Sequence, residues 1–142
     1  MKLSTRGKYG LYAMYYLAEH RNEGPQTLQS IASTGVPKQY LEQLLGNLRR
    51  AGLVASVRGA QGGYQIAKPP DQTTILEVID AMEGPLALSE CTTDEGSCKH
   101  ACQCPVRKVW QRLTESINRE LAGVTLGDMF EEIDDCEATV NE

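Results

Sequence analysis

Apolar residues recur at helical spacing in the first third of the chain. Residues 5–20 carry apolar positions around most of a helix circumference, which indicates a helix buried on several sides. A short helix is predicted after Thr27, a suitable N-cap, and it closes at Gly35. Pro37 falls where a first helical turn tolerates proline, and leucines then follow at i, i+3, i+4 and i+7: Leu41, Leu44, Leu45 and Leu48. Two helices joined by a short turn that contains glycine are typical of a helix-turn-helix.

A β-hairpin is predicted directly after this pair of helices. Two short runs of strand-forming residues, 53–57 and 64–67, bracket residues 58–63. The three glycines between residues 59 and 63 fit a hairpin tip that needs positive φ and a close backbone approach. A hairpin that follows a candidate recognition helix is a wing. The alternative is a glycine-rich surface turn without function.

Helical spacing returns in the second half of the chain. Thr74 and Glu77 form a capping box that opens a helix, and Gly84-Pro85 ends it. The apolar face of this helix comprises Ile75, Val78, Ile79 and Met82. A longer helix is predicted over residues 105–123. Its apolar stripe comprises Val106, Val109, Trp110, Leu113, Ile117 and Leu121.

We expect so short a chain to have too little surface of its own to bury the apolar stripe of the long helix. A chain of 142 residues offers few intrachain surfaces to such a helix, so packing against a second copy is predicted. Packing on the chain's own first helix is the alternative, and both hold if that helix crosses to the other subunit. The predicted fold is mainly α with a small β wing: a winged helix-turn-helix domain plus a long dimerisation helix.

Charge divides the chain at Pro69-Pro70. Residues 1–68 hold nine Lys/Arg and three Asp/Glu, whereas residues 69–142 hold five and sixteen, so the net charges are +6 and −11. We therefore predict a winged helix-turn-helix domain in the first segment, where basic residues attract polyanions. The second segment is predicted to contain a linker helix, a cysteine loop at 91–104 and the dimerisation helix at 105–123. A chance gradient of charge is the alternative.

The solvent face of the helix after Pro37 is rich in groups that recognise DNA. Amide, carboxylate and cationic side chains donate and accept hydrogen bonds at base edges or reach phosphates. The candidates on this helix are Lys38, Gln39, Glu42, Gln43, Arg49 and Arg50. The candidates on the wing are Arg58, Gly59 and Gln61. Arg58 at the base of the hairpin can reach phosphate or a narrow minor groove. An ordinary solvated helix face is the alternative.

Composition narrows the class of protein. Hydrophobic residues make up 41% and charged residues 23% of the chain, which are values of an ordinary folded domain. No run approaches the roughly 18 apolar residues of a membrane span, and residues 1–6 lack the apolar core of a signal peptide. We expect a cytoplasmic protein without a membrane partner. We also expect no enzyme, because neither half offers a nucleophile with a base or a pair of carboxylates.

Cysteines in a cytoplasmic chain are typical of metal ligands or redox thiols. Of the five cysteines, four crowd with one histidine into a single loop: Cys91, Cys98, His100, Cys102 and Cys104. Zinc accepts four thiolates or three with a histidine, and an iron-sulfur cluster accepts the same sets. The spacing does not separate the two, and a redox disulfide pair or four unconnected thiols are further alternatives. Cys136 in the tail is interpreted as a lone exposed thiol.

Several segments of the chain resemble a known group of regulators. They are MKLSTRGKY at 1–9, YLEQL at 40–44, GLVASVRGAQGGY at 52–64, and the cysteine loop before Trp110. They are similar to the IscR-like regulators of iron-sulfur cluster assembly, within bacterial winged-helix repressors that include nitric-oxide, cysteine-metabolism and redox sensors. The resemblance covers residues 1–133. It implies a homodimer whose winged domains bind a palindromic operator in double-stranded DNA and control cluster biogenesis genes.

The resemblance also implies a 2Fe-2S cluster that reports cluster status and is held by three cysteines: Cys91, Cys98 and Cys104. Arg107 stands where the family has a histidine ligand, so Cys102 or His100 could supply the fourth ligand. Lys8 stands where related nitric-oxide sensors have an acidic ligand. The alternatives are the same regulator using zinc or a thiol redox switch, or sensing nitric oxide. An iron-sulfur carrier or electron-transfer protein is a more distant alternative.

Overall fold

Helices dominate the chain, and one β-hairpin interrupts them. The computed structural model describes residues 4–85 and 104–131. The helices are α1 (Thr5–Glu19), α2 (Leu28–Ala32), α3 (Lys38–Arg50), α4 (Ile75–Glu83), α5 (Pro105–Gly123) and α6, which runs from residue 126 to the last described residue, 131. The strands are β1 (Val54–Val57) and β2 (Gly63–Ile66), and a 3-10 turn spans Pro70–Gln72. The predicted fold class, mainly α with a small β wing, is confirmed.

Side-chain caps set where two of the helices begin. The Thr27 hydroxyl accepts from the backbone N–H of Ser30 at 3.1 Å, as predicted for the N-cap of α2. Thr74 and Glu77 form the predicted capping box of α4, because each side chain accepts from the other residue's backbone N–H. Pro37 is the N-cap residue of α3, whereas the sequence pattern placed it in the first helical turn. The helix therefore begins one residue later than predicted.

The leucine stripe of α3 lies at the centre of the hydrophobic core. Its four leucines are at most 1% exposed: Leu41, Leu44, Leu45 and Leu48. The predicted apolar face of α4 is also buried and belongs to the same cluster. Helix α4, from the acidic segment, therefore packs together with α1 and α3 from the basic segment. The division into domains at Pro69-Pro70 stays a prediction.

Helix α1 is covered on several sides, as predicted, because it contacts α2, α3, α4 and strand β2. Its buried positions are Gly7, Gly10, Ala13, Met14, Leu17 and Ala18. A Cβ on Gly10 would stand 2.6 Å from the Cγ of Met82, so the missing side chain lets α1 and α4 approach closely. Tyr9 and Tyr16 are partly buried against the core, whereas Tyr12 is 46% exposed. A larger residue in place of Gly10 would hold α1 and α4 apart.

The predicted wing is an antiparallel hairpin in which Val57 pairs with Gly63. Its five-residue connection, 58–62, is closed by a hydrogen bond of 3.1 Å from the Gly62 N–H to the Gly59 carbonyl. Gly59 has a φ of +113°, and a Cβ on Gly62 would stand 2.1 Å from the backbone oxygen of Val57. The tip therefore requires glycine at both positions, one for its φ and the other for space.

Backbone hydrogen bonds join the end of α5 to the segment before α4. The Ile75 N–H donates to the Val124 carbonyl at 2.9 Å, and the Leu126 N–H donates to the Thr73 carbonyl at 2.9 Å. Leu126 is fully buried in the core. The C-terminal end of α5 is thereby attached to the helix-turn-helix core. Within the described residues, no helix is both long and apolar enough to cross a membrane.

Candidate nucleic-acid interface

The face of α3 opposite the leucines carries the residues predicted to contact DNA. All six candidates on this helix are exposed: Lys38, Gln39, Glu42, Gln43, Arg49 and Arg50. Because an α-helix turns by about 100° per residue, Gln39, Gln43 and Arg50 lie directly opposite the buried stripe. Burial of the leucines therefore decides which polar side chains point outward.

Two arginines near the end of α3 are held by hydrogen bonds. Arg49 Nη1 donates to Ser56 Oγ at 3.3 Å, which links α3 to strand β1 of the wing. Arg50 Nη2 donates to the side-chain oxygen of Asn47, one turn earlier on the same helix. These contacts restrain both guanidinium groups on the exposed side of the helix. This role of Ser56 was not predicted from the sequence, because it depends on how β1 packs against the end of α3.

The wing is anchored at its base, and its tip is exposed. The predicted tip residues all lie on the surface: Arg58, Gly59 and Gln61. Gln26 and Tyr64 exchange two backbone hydrogen bonds of 2.8 Å each, so the loop before α2 pairs with β2. The Tyr16 hydroxyl also donates to the Gln26 side chain at 3.4 Å. The pairing of Gln26 with the wing was not predicted from the sequence, since a backbone pairing requires no particular side chain.

The exposed charges of α3 and the wing suit a polyanion. Between residues 38 and 66 the chain carries four cations and one carboxylate: Lys38, Arg49, Arg50, Arg58 and Glu42. Cations at the ends of the helix and on the wing attract phosphates. Glu42 lies within the same face, where a carboxylate accepts a hydrogen bond from cytosine but repels phosphate. The face can therefore both attract a duplex and discriminate among base sequences.

Two carboxyl groups with shifted pKa values lie on α4, away from this face. The Lys68 ammonium donates to Glu77 at 2.7 Å and lowers the pKa of Glu77, and the Thr74 N–H lowers that pKa further. Burial raises the pKa of Asp80. Lys68 follows the wing directly, so its ion pair with Glu77 joins the wing to the start of α4. The pKa shift of Glu77 therefore concerns the stability of this junction.

Cys104 is the one predicted metal ligand within the described residues. It is the N-cap residue of α5, its side chain makes no capping hydrogen bond, and its thiol is free and half-buried. Four other candidate ligands lie outside the described residues: Cys91, Cys98, His100 and Cys102. Arg107, at the position of the family's histidine, is buried in the first turn of α5. The thiol-rich donor set fits an iron-sulfur cluster and zinc equally.

One face of α5 is apolar and exposed. Val106, Val109 and Leu113 are 53%, 52% and 44% exposed. Arg112 and Ser116 line a shallow groove together with two of these residues. The main contacts of α5 within the described chain are with α4. Among the described residues, Val106, Val109 and Leu113 of the predicted dimerisation stripe are therefore left uncovered.

A helix-turn-helix followed by a wing, with a recognition face of amides and cations, defines a winged-helix DNA-binding protein. Residues 3–132 match the sequence profile of the Rrf2 family, described as an iron-dependent transcriptional regulator. This match covers most of the chain. The chain therefore belongs to the Rrf2 family of transcriptional regulators, a family of DNA-binding proteins and not of enzymes.

Relatives within this family share both sequence and fold with the chain. The HTH-type transcriptional regulator CymR of Bacillus subtilis is 42% identical over 130 residues, which are 91% of this chain and 89% of CymR. The solved structure of T. potens IscR matches with a TM-score of 0.78 and 39% identity, covering 96% of this chain and 90% of that one. The structure of CymR (YrzC), the global cysteine regulator of B. subtilis, matches with a TM-score of 0.74 and 40% identity, covering 91% and 95%. The predicted resemblance to IscR-like regulators is confirmed.

Proposed function

We propose that this chain is a dimeric transcription regulator that senses iron-sulfur cluster status through its cysteine loop and controls cluster biogenesis genes. The DNA-binding part of this proposal rests on the exposed polar face of α3, which lies beside the anchored wing. The burial of the opposite face leaves DNA contact as the evident use of these amides and cations. The IscR-like resemblance and the thiol-rich loop support the sensing part.

In this proposal α3 enters the major groove of the operator. Gln39, Glu42 and Gln43 face base edges, and Glu42 accepts from cytosine. The remaining candidates contact phosphates and position the protein: Lys38, Arg49, Arg50, Arg58, and the exposed wing-tip residues Gly59 and Gln61. The hydrogen bond from Arg49 to Ser56 supports this division, because it draws one guanidinium toward the wing, where the duplex backbone would pass.

A second copy of this chain is the proposed partner for α5. Its exposed apolar residues, Val106, Val109 and Leu113, share one face, and the same face of another copy would cover them. Two copies related by a two-fold axis present two recognition helices to a palindromic operator. Those helices must lie about 34 Å apart to enter successive major grooves on one side of B-DNA. The packing of α5 therefore sets which operator geometry is read.

Cys91, Cys98 and Cys104 are the proposed ligands, with Cys102 or His100 as the fourth. These residues would hold a 2Fe-2S cluster, which would supply a link from the cysteine loop to the start of α5 that depends on cluster occupancy and oxidation state. Cys104 suits this role, because its free thiol lies at the N-cap of the dimerisation helix. Occupancy then biases the spacing of the two recognition helices and alters affinity by its differential stabilisation of two arrangements.

A single preparation tests the sensing part. Protein purified without oxygen should contain about two irons and two acid-labile sulfides per chain and absorb visible light. About one zinc and no sulfide would contradict cluster sensing and leave DNA binding in place. The triple variant Cys91→Ala, Cys98→Ala, Cys104→Ala should lose the iron and change operator preference. If it binds every operator as the wild type does, the coupling is wrong.

A cysteine-responsive or thiol-switched regulator is the second candidate. The 42% identity to CymR favours it, because the related B. subtilis structure is that of a cysteine regulator. The same protein sample separates the two candidates. Iron-free protein whose operator affinity changes on thiol oxidation would support the switch, whereas dependence on iron and sulfide would support the cluster.

Glu42 offers a direct test of DNA reading. Wild type and Glu42→Ala should be compared on a library of operator variants. Loss of the carboxylate should relax the preference at one base pair in each half-site, by about tenfold. An unchanged preference profile would remove Glu42 from the reading face. If the protein is an iron-sulfur carrier, which is the distant alternative, the wild type should show no sequence-specific DNA binding at physiological salt.

A further inference from the structure

Gly46 leaves a gap in the polar face of α3. It lies one helical turn after Glu42 and one turn before Arg50, in the interior of a helix that spans Lys38–Arg50. A Cβ placed on Gly46 would meet no atom within 4 Å, and its φ is not positive. Neither the packing of residues 4–85 and 104–131 nor the backbone conformation therefore requires glycine there.

A glycine in a helix interior destabilises the fold relative to alanine, because its backbone loses more conformational freedom on folding. Gly10 on α1 shows the usual compensation, since a Cβ there would stand 2.6 Å from Met82. Gly46 has no comparable contact in the described chain. Within the described residues, nothing offsets this cost, which points to a contact beyond them.

We infer that Gly46 is a point of close approach between α3 and the DNA duplex. Without a Cβ, the helix backbone can lie nearer to the groove between the contacts made by Glu42 and Arg50. The adjoining turns carry amides and cations, which suit DNA, whereas the exposed apolar surface suited to a second copy lies on α5. This inference rests on the proposed DNA binding and specifies how deeply α3 enters the groove.

An added methyl group would act on base contacts more than on phosphate contacts. Base edges are read by short, directional hydrogen bonds, which fail when the helix is held away from the groove. Long arginine and lysine side chains reach phosphates over a range of distances, and the substitution leaves the charge unchanged. Affinity for a specific operator should therefore fall while non-specific binding and its salt dependence persist.

The test begins with a duplex that the wild-type protein selects from a randomised library. Gly46→Ala should bind this duplex about tenfold more weakly, the equivalent of one impaired base contact. Binding to a scrambled duplex of the same composition should not change. Gly46→Gln, with a longer side chain, should bind the selected duplex more weakly still. The unfolding temperature of Gly46→Ala should rise by about 4 °C. Such a rise would show that the weaker binding does not come from loss of the fold.

Gly123→Ala is the matched control. Gly123 ends α5, and a Cβ on it also meets no atom within 4 Å, so the substitution should leave DNA binding unchanged. Equal affinity of wild type and Gly46→Ala for the selected duplex would overturn the inference while leaving the proposed function intact. A wild-type protein that selects no sequence would overturn the proposed function and this inference with it.

Discussion

Helices α3 and α5 share a sequence pattern and differ in burial. Each carries an apolar stripe at helical spacing with polar residues on its other faces. The leucines of α3 are at most 1% exposed, whereas Val106, Val109 and Leu113 of α5 are 44–53% exposed. Helix α3 lies between α1, α4 and the wing, while α5 contacts mainly α4. A similar amphipathic pattern can therefore stabilise the fold of one chain, as in α3, or leave an apolar surface for a second copy, as proposed for α5.

This contrast assigns different energetic roles to the two stripes. Burial of the α3 leucines stabilises the single chain and orients the face that is proposed to contact DNA. The described residues do not bury Val106, Val109 and Leu113 of α5, so these side chains are available to a partner. Substitutions in the two helices should consequently separate folding from assembly.

Leu44→Ala should destabilise the folded chain by about 3 kcal/mol, because it removes a fully buried side chain and leaves a cavity. Urea unfolding at neutral pH measures this effect. Ala13, already small and fully buried, offers a reference position, and Ala13→Gly should cost less, about 1 kcal/mol. A Leu44→Ala variant as stable as the wild type would show that the α3 stripe is not the centre of the core.

Leu113→Asp should weaken dimerisation by about 2 kcal/mol per subunit, because it places a charge where an apolar stripe meets its partner. Sedimentation velocity should detect a folded monomer, and operator affinity should fall with it. Ala122→Asp adds the same charge on the opposite, exposed side of α5 and should leave the dimer intact. Equal dimer stability for both variants would contradict association through this stripe.

Arg58→Ala should weaken operator binding by about 1 kcal/mol and reduce the slope of log affinity against log salt by about 1 if one phosphate contact is lost. Titrations at several salt concentrations measure both quantities. Arg119 is exposed on α5, and Arg119→Ala should change neither. An unaltered salt slope for Arg58→Ala would remove the wing from the proposed interface.

Glu77→Gln should destabilise the chain by about 0.5 kcal/mol at pH 7, as for a partly exposed ion pair. The pKa of Glu77 is lowered in the folded chain, so its charged form contributes stability above the ordinary pKa of 4.5. That contribution is lost as the pH falls through the lower folded pKa. Unfolding measured from pH 7 to pH 3 should show wild type and Glu77→Gln converging, with exposed Glu115→Gln as control.

Much of the fold was predictable because its signals are local. The spacing of the α3 leucines, the Thr27 cap and the Thr74–Glu77 capping box each depend on residues within one or two turns. The range 105–123 of the long helix was predicted as it occurs, since Pro105 and Gly123 bound its pattern. For the same reason the candidate residues on α3 are exposed as expected. Their contacts with DNA stay a prediction.

Other features depend on segments that are distant along the chain. Gln26 supports the wing only because the loop before α2 meets β2, and Ser56 holds Arg49 only because β1 crosses the end of α3. Gly10 and Gly46 look alike in sequence. In the described chain an added Cβ would clash with Met82 at Gly10 and would meet no atom within 4 Å at Gly46, so only their surroundings in the fold separate them.

The helices, the wing and the outward face of α3 follow from local signals in the sequence, because periodicity and capping act between neighbouring residues. The family resemblance follows from the sequence too, since the wing segment and cysteine loop are distinctive. The packing of α4 into the helix-turn-helix core, and the exposure of Val106, Val109 and Leu113 among the described residues, became evident in the three-dimensional structure. Burial is a property of three-dimensional neighbours, and an amphipathic pattern does not say which chain supplies them.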